Sequence, residues 1–547
     1  SNPSPSFPVP VLQGGMKSTR EPPKGLKANI RDSIHSLDPA VWNEFNGTVP
    51  PTNAAGKDET ELDAAAIEAA VKLKAQQSRQ ENQWKRLVFS LAFFHALVQE
   101  RRKFGALGWN IPYEWGPPDM AASVRTLRGA LQETAATGDL PWTALQYTIG
   151  VLHYGGRVTD FLDGRCLGVL LNHIFQPTMF HSNARFDHEG VYRPLDSCSK
   201  EALLDYIDSL PVDESPELFG LHVNANIAFQ AKDSTSVMQT LIEVQPRGAS
   251  ASAGSKTSDE IVLELVDAMR KRLPELIDVS RAHISTFAVT DAGIMTPLGT
   301  FLSQEIDQFN HLLNVIWSSL QLLTRALKGE VVMSSTMESM FNSVLFNQVP
   351  KNWAAAGYLS MKPLASHFTD MLARVEFMRT WCERGLPTSF WLPGFFFPQG
   401  FVTSLFQTHS RIHKMPIDTI KFYFHPQPFM SEAQIQKPAA SGAFVHGFYL
   451  DGAAWSTEKH CIVESKPGEL RVALPPIHFE PVLVTAPQQP ETYECPLYKA
   501  STRAGTLSTT GLSTNFVLSL QLPTGGGNTT GDHWVRRGVA ALCMLDD

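Results

Sequence analysis

LSQEIDQFNHLLNVIWSSLQLLTRAL, residues 302–327, carries the most regular pattern in the chain. Leu302, Ile306, Phe309, Leu313, Ile316, Leu320, Leu323 and Leu327 alternate steps of four and three. That spacing lays apolar side chains along one helix face and sustains an a/d seam over more than three heptads. At about 1.5 Å per residue the helix is roughly 39 Å long. Such a seam either joins two chains as a coiled coil or packs inside its own domain. The second reading fits better, because helical patterns at 335–347, 364–384 and 400–413 follow and supply partners.

The chain upstream also reads as helical. Residues 58–80, rich in Ala, Glu and Lys, predict one helix. Trp84, Leu87, Val88, Leu91, Phe94 and Val98 predict another, with Arg101, Arg102 and Lys103 in its last turn and Gly105 as its cap. Further helices are expected over 119–136, 141–150, 160–175, 199–209 and 258–273. RGASASAGSKTSD, residues 247–259, is small and polar and reads as a linker rather than a loop within one domain. Prolines break residues 1–50: FPVPVLQ (7–13) reads as a strand edge or loop, and TVPPTNAAGK (48–57) as a polar loop. Downstream of Ile417 the period changes to two. Ile420–Phe424, GAFVHGFYLDGAAW (442–455), LRVALPPIHF (470–479), STNFVLSLQL (513–522) and HWVRRGVAALCML (533–545) predict short strands in a barrel or sandwich.

Composition narrows the function. In 547 residues, 43% hydrophobic and 18% charged, there is material for several cores. The formal charge of -8, without a dense basic run, argues against nucleic-acid binding. The apolar run Leu87–Val98 is too short for a bilayer, so a soluble protein without membrane partners is expected. Cys166, Cys198, Cys382, Cys461, Cys495 and Cys543 form no CxxC and read as reduced intracellular thiols. The chain starts at Ser1 with extended, proline-spaced residues, and is expected to be a fragment.

No catalytic constellation stands out. GGMKST (14–19), AAGKDE (54–59) and AGSKTS (253–258) each fail the phosphate-loop pattern in glycine spacing or hydroxyl, so no nucleotide site is expected. HYGGRVTD (153–160) reads as a tight turn with Asp160 capping the next helix, rather than an anion loop. His409 and His413, at i and i+4, lack the Glu and third ligand of a zinc hydrolase and read as a polar face; His181 and His188 are no better. There is no GxSxG elbow. SFWLPGFFFPQGF, residues 389–401, is the most unusual segment. Phe390, Trp391, Phe395, Phe396, Phe397 and Phe401 are read as an internal wedge, since large exposed aromatic patches are rare; exposed, they would form a partner surface.

Several long strings resemble the C-terminal end of dynein heavy chains: LAFFHALVQERRKFGALGWNIPYEW (91–115), YGGRVTD (154–160), SPELFGLHVNANIAFQ (215–230), FNSVLFNQVPKNW (341–353), FWLPGFFFPQGF (390–401) and YECPLYKASTRAGTLSTTGLSTNFVLSL (493–520). FPVPVLQGGMKSTREPPKGLKANI (7–30) and PIDTI (416–420) complete the set, in order along nearly the whole chain. The resemblance implies an α+β multidomain fold. Residues 1–80 would be the trailing part of the sixth AAA+ large subdomain, and 81–246 its helical small subdomain. The linker 247–259 would lead to the helical part of the dynein C-terminal domain, 260–414, and a small β-barrel cap, 415–547. GTLSTTGLSTNFVLSL looks like the axonemal, inner-arm group, although that group usually has His where Leu512 stands.

The implied role is a structural and regulatory segment. It would close the AAA+ ring and tune ATP-driven, minus-end-directed microtubule motility in cilia and flagella. This segment would be non-catalytic and without cofactor; ATP and Mg would bind other modules of the parent motor. Its partners would be those AAA+ modules and, through the parent motor, microtubules and accessory chains. The place would be the axoneme, with cytoplasm before assembly. A free-standing helical scaffold, docking partners through the seam or the wedge, is the alternative.

Overall fold

Residues 23–45, 64–134, 139–196, 198–244, 257–289, 293–506, 513–525 and 531–546, with Pro10 and Gly14, are those described by the computed structural model. FPVPVLQ, TVPPTNAAGK, the start of the 58–80 helix, most of the 247–259 linker, Leu512 and most of the phosphate-loop look-alikes lie outside them. The rest of the protein divides into two compact units, each taken by itself below.

The first unit comprises 1–102, 113–157 and 170–218. Its described helices are α1 (Leu26–His35), α2 (Pro39–Trp42), α3 (Ala64–Glu100), α4 (Pro117–Glu133), α5 (Trp142–Tyr147), the last part of α6 (Phe161–Ile174) and α7 (Lys200–Ser209). The two helices expected on either side of residue 82 are one. Nothing in QQSRQENQ breaks a helix, so α3 runs through. Its second half is buried on every side: Trp84, Leu87, Val88, Leu91 and Phe94 are joined inside by Arg86, Ser90 and His95. A helix covered all round is the axis of its unit, and α1 and α4 pack along it. A π-helical stretch, Thr148–Tyr154, extends α5. The Tyr154 hydroxyl meets His95 Nδ1 at 2.9 Å, and the Tyr154 carbonyl accepts the Trp115 indole N–H at 3.0 Å.

The second unit comprises 103–112, 158–169 and 219–547. Its helical part holds α8 (Asn224–Val244), α9 (Ser258–Arg272), α10 (Pro297–Leu327), α11 (Ser335–Leu345), α12 (Lys351–Ala356), α13 (Leu364–Arg384) and α14 (Pro398–His413). Thr257 and Glu260 close a capping box at the start of α9. Thr296 and Pro297 start α10, five residues before the seam. α9, α11, α12, α13 and α14 all pack on α10, which buries Leu302, Ile306, Phe309, Leu313, Ile316, Leu320 and Leu323 to 1% exposure or less. The seam therefore serves its own unit.

Strands fill the remainder: β1 (Phe390–Trp391), β2 (Ile420–Pro426), β3 (Ala443–His446), β4 (Tyr449–Asp451), β5 (Ala454–Ser456), β6 (Cys461–Val463), β7 (Arg471–Ala473), β8 (Ile477–Leu483), β9 (Thr492–Tyr498), β10 (Phe516–Pro523) and β11 (Ala540–Leu542). Among the described residues they form sheets in the orders β1-β3-β8-β2, β10-β9-β11-β4-β7 and β5-β6. β2 and β8 pair antiparallel from Ile420↔Leu483 to Pro426↔Ile477, placing Phe422, Phe424 and Phe479 toward the core. HWVRRGVAALCML is only half strand. Its first residues form α15 (Gly531–Arg537), and Gly538, at φ 68°, turns the backbone into β11. β9 passes unannounced in the sequence because Pro496 interrupts its pattern. Among the described residues, no helix is long and apolar enough to cross a membrane.

Leu313→Ala should lower the stability of the second unit by about 2–5 kcal/mol, read as a shift of its urea midpoint. Leu313→Lys should unfold that unit. A folded, monomeric Leu313→Lys protein of undiminished stability would instead place the seam between two copies.

Candidate functional site

The wedge is built from proline and one carboxylate. Pro393 opens a short turn after β1, and Pro398 takes the first position of α14. The residue before α14, Phe397, has no polar group on its side chain to cap it. Glu305, on α10, instead holds the backbone leading into the helix from across the core: Oε2 accepts the Phe396 N–H at 2.7 Å and Oε1 the Phe397 N–H at 3.0 Å. A negative charge at the start of a helix suits its dipole. Glu305 is nevertheless fully buried, and burial pushes its carboxyl up to about 7, against the two N–H groups, Arg374 and Lys499.

Arg374, on α13, braces the same turn. Its guanidinium lies 3.8 Å from the Tyr358 ring centre and 5.5 Å from that of Trp391. It donates to Asp370 at 2.6 Å and to the Pro393 carbonyl, while the Tyr358 hydroxyl donates to Asp370 at 2.8 Å. Burial raises Asp370, but Arg374, Tyr358 and Lys362 outweigh it and hold the carboxyl below its usual value.

The expected aromatic residues meet here, with one exception. Phe395 contacts Phe301 edge-on at 4.9 Å and stacks with Phe401 at 5.0 Å; Phe390 packs on Trp381 at 5.1 Å, and Phe396 on Phe309 at 4.6 Å. Trp391 is half-buried. Phe397 is 51% exposed: its backbone serves Glu305 while its ring points to solvent, so it does not belong to the buried wedge.

A second polar cluster, also within the second unit, was not legible in the sequence. Asp163 accepts the Asn110 and Ile111 N–H groups at 2.9 and 3.1 Å. Asn110 donates to the Tyr498 hydroxyl at 2.9 Å and to Asp160 at 3.3 Å. Asp160 does cap α6, accepting Leu162 N–H at 2.9 Å and Asp163 N–H at 3.0 Å. Arg503, buried, donates to Asp451 at 3.0 Å and to the Gly538 carbonyl at 2.8 Å. A Cβ on Gly538 would stand 2.3 Å from the Leu107 carbonyl oxygen, so that crossing requires glycine. Nearby, Asn224 donates to the Lys466 and Glu469 carbonyls at 2.9 and 3.0 Å, and Arg537 reaches the Leu221 carbonyl and Glu464. Together these bonds fasten 103–112, 158–169 and 219–225 to the strands. Asn110, Tyr498 and Arg503 sit inside strings already quoted, but no spacing rule marks a buried hydrogen-bond partner.

Among the described residues, no three His, Cys, Asp or Glu side chains are placed to share a metal ion. His409 and His413 lie ring to ring at 4.2 Å, with Ser441 near His409. Arg157 pairs with Asp119 at 3.0 Å. All six cysteines are free thiols.

Residues 231–543 match the family of C-terminal domains of the dynein heavy chain, and residues 84–225 the dynein heavy chain AAA lid domain family. The chain is similar over its whole length to human dynein axonemal heavy chain 6 at 39% identity, covering 13% of that relative. It is 37% identical to human dynein axonemal heavy chain 1 and to mouse dynein axonemal heavy chain 12, again over its whole length, covering 12% and 16% of them. The chain thus spans under one fifth of each of these relatives.

Glu305→Gln gives a pH test. A carboxyl raised from 4.5 to about 7 stabilises the fold fully below about 4.5 and loses that contribution as pH rises through about 7. Stability of the natural protein relative to Glu305→Gln should therefore fall between pH 5 and pH 8, by at most on the order of 3 kcal/mol. Urea midpoints of both proteins at the two pH values check it, and a constant difference would contradict it. Gly538→Ala should cost about 1–3 kcal/mol or more by the same measurement.

Proposed function

Because the chain belongs to the dynein heavy-chain family, whose C-terminal domain it carries, we propose that it works as a structural and regulatory segment of a motor rather than as a catalyst. In this reading residues 1–80 are the trailing part of the sixth AAA+ large subdomain, and 81–246 its helical small subdomain. The strand-rich end is a small barrel cap. β2 lying beside β10, and β5 beside β7, supports that reading by bringing the sheets toward closure.

One observation carries the proposal. Segments 103–112 and 158–169 fall within the region matching the AAA lid, yet belong to the same compact unit as the region matching the C-terminal domain. Movement of these two segments would therefore be felt by the C-terminal domain through Asn110, Asp160, Asp163 and Tyr498. That is the coupling a ring of AAA+ modules needs at its closing member. ATP and Mg would be handled by other modules of the parent motor. Microtubules and accessory chains would be reached through that motor, and the axonemal relatives support the axoneme of cilia or flagella as its place. A free-standing scaffold is not favoured, since the seam such a scaffold would offer is spent inside its own unit.

Two measurements test this. Calorimetry of this protein with Mg-ATP should give no saturable heat; stoichiometric binding would overturn the non-catalytic reading. In the parent motor, Asn110→Ala combined with Tyr498→Phe should leave ATP hydrolysis in place but change microtubule gliding velocity by about two-fold or more. Unchanged gliding would remove the coupling role.

A further inference from the structure

A cleft of about 470 Å³ opens in the first unit, beside the middle of α3, the start of α5 and the turn at Pro177–Phe180. That size lies within the usual range of ligand pockets, about 300–1,000 Å³. Gln83 lines it and is only 8% exposed, yet its side-chain amide has no hydrogen-bond partner among the described residues. The neighbouring Asn82 Oδ1 also has none, although Asn82 Nδ2 donates to Asp196 at 3.3 Å. A buried acceptor left unpaired costs about 1–3 kcal/mol, so Asn82 Oδ1 calls for a donor, and the Gln83 amide beside it offers both a donor and an acceptor to the cleft.

The charges around the cleft do not select an ion. Arg86 is engaged by the Met179 and His181 carbonyls at 3.0 and 2.8 Å and by Asp196 at 3.2 and 2.5 Å. Arg79 and Asp139 bring opposite signs to the lining. Trp142 and Phe180, tilted rings 5.5 Å apart, and Leu140 add apolar lining. A neutral amide pairs with Gln83 through one donated and one accepted bond, and an apolar neighbour covers the rings.

We propose that the cleft formed by Gln83, Trp142 and Phe180 docks a peptide segment presenting an amide next to an apolar side chain. The amide comes either from the peptide backbone or from an Asn or Gln side chain.

The test uses the 547-residue chain labelled with 5-fluorotryptophan, with the Trp142 signal identified by its loss in Trp142→Phe. Acetyl-Leu-Gln-amide and acetyl-Leu-Ala-amide are titrated separately. Saturable movement of the Trp142 signal with both supports backbone docking, and with the first alone supports side-chain docking. Gln83→Leu should weaken either by about ten-fold, matching one lost amide pairing. Trp142→Ala, followed by calorimetry, should weaken it as well and stands in if Gln83→Leu lowers the melting temperature. No saturation with either peptide, equal affinity in Gln83→Leu or Trp142→Ala, or equally strong binding of acetate would overturn the proposal; the cleft would then hold only water or an anion.

Discussion

Two backbone N–H groups, on Phe396 and Phe397, lead into a helix that has no side-chain cap, and the Glu305 carboxylate accepts both. Much of the helical half of the C-terminal domain is arranged around that pairing. It fixes where α14 begins relative to α10, and so where Phe390, Phe395, Phe396 and Phe401 stack against Phe301, Phe309 and Trp381. Arg374 completes the arrangement by holding the Pro393 carbonyl from the other side. A buried carboxylate is a poor source of net stability, since its desolvation opposes its bonds. What it supplies is position: only one placement of the turn satisfies both N–H groups.

The strand-rich end relies on a different constraint, close backbone approach. Gly538 passes against the Leu107 carbonyl where any side chain would collide, and Arg503 ties the Gly538 carbonyl to Asp451 across the sheet. Asn110 then joins Tyr498 to the start of α6. The result is a polar seam inside an apolar core, in which nearly every partner is hydrogen-bonded to a residue far away in sequence. Such networks specify one arrangement more than they add stability. That suits the coupling role proposed for the segment.

The sequence announced what local periodicity controls. The seam from Leu302 to Leu327 read correctly as a helix because its spacing repeats at every turn, and Asp160 read correctly as a cap. The merger of two expected helices into α3 was hidden because the polar, mostly exposed joint carries no apolar period, although nothing in it breaks a helix. HWVRRGVAALCML misled because apolar alternation continues across Gly538, where the backbone reverses its habit from helix to strand. Phe397 misled because composition cannot say which of three adjacent phenylalanines faces out. Glu305, Arg374, Asn110 and Arg503 were silent for a common reason: a buried polar group is defined by its distant partner, not by its neighbours in the sequence.

Residues 103–112 and 158–169 belong to the same compact unit as the C-terminal domain. Native-state hydrogen exchange tests it most directly. The account predicts that the amides of Asn110, Ile111, Leu162 and Asp163 open together with those of β9 and β11, with one shared free energy and one denaturant dependence. Opening of those amides with α4 and α5 instead, at a free energy independent of β9 and β11, would contradict it.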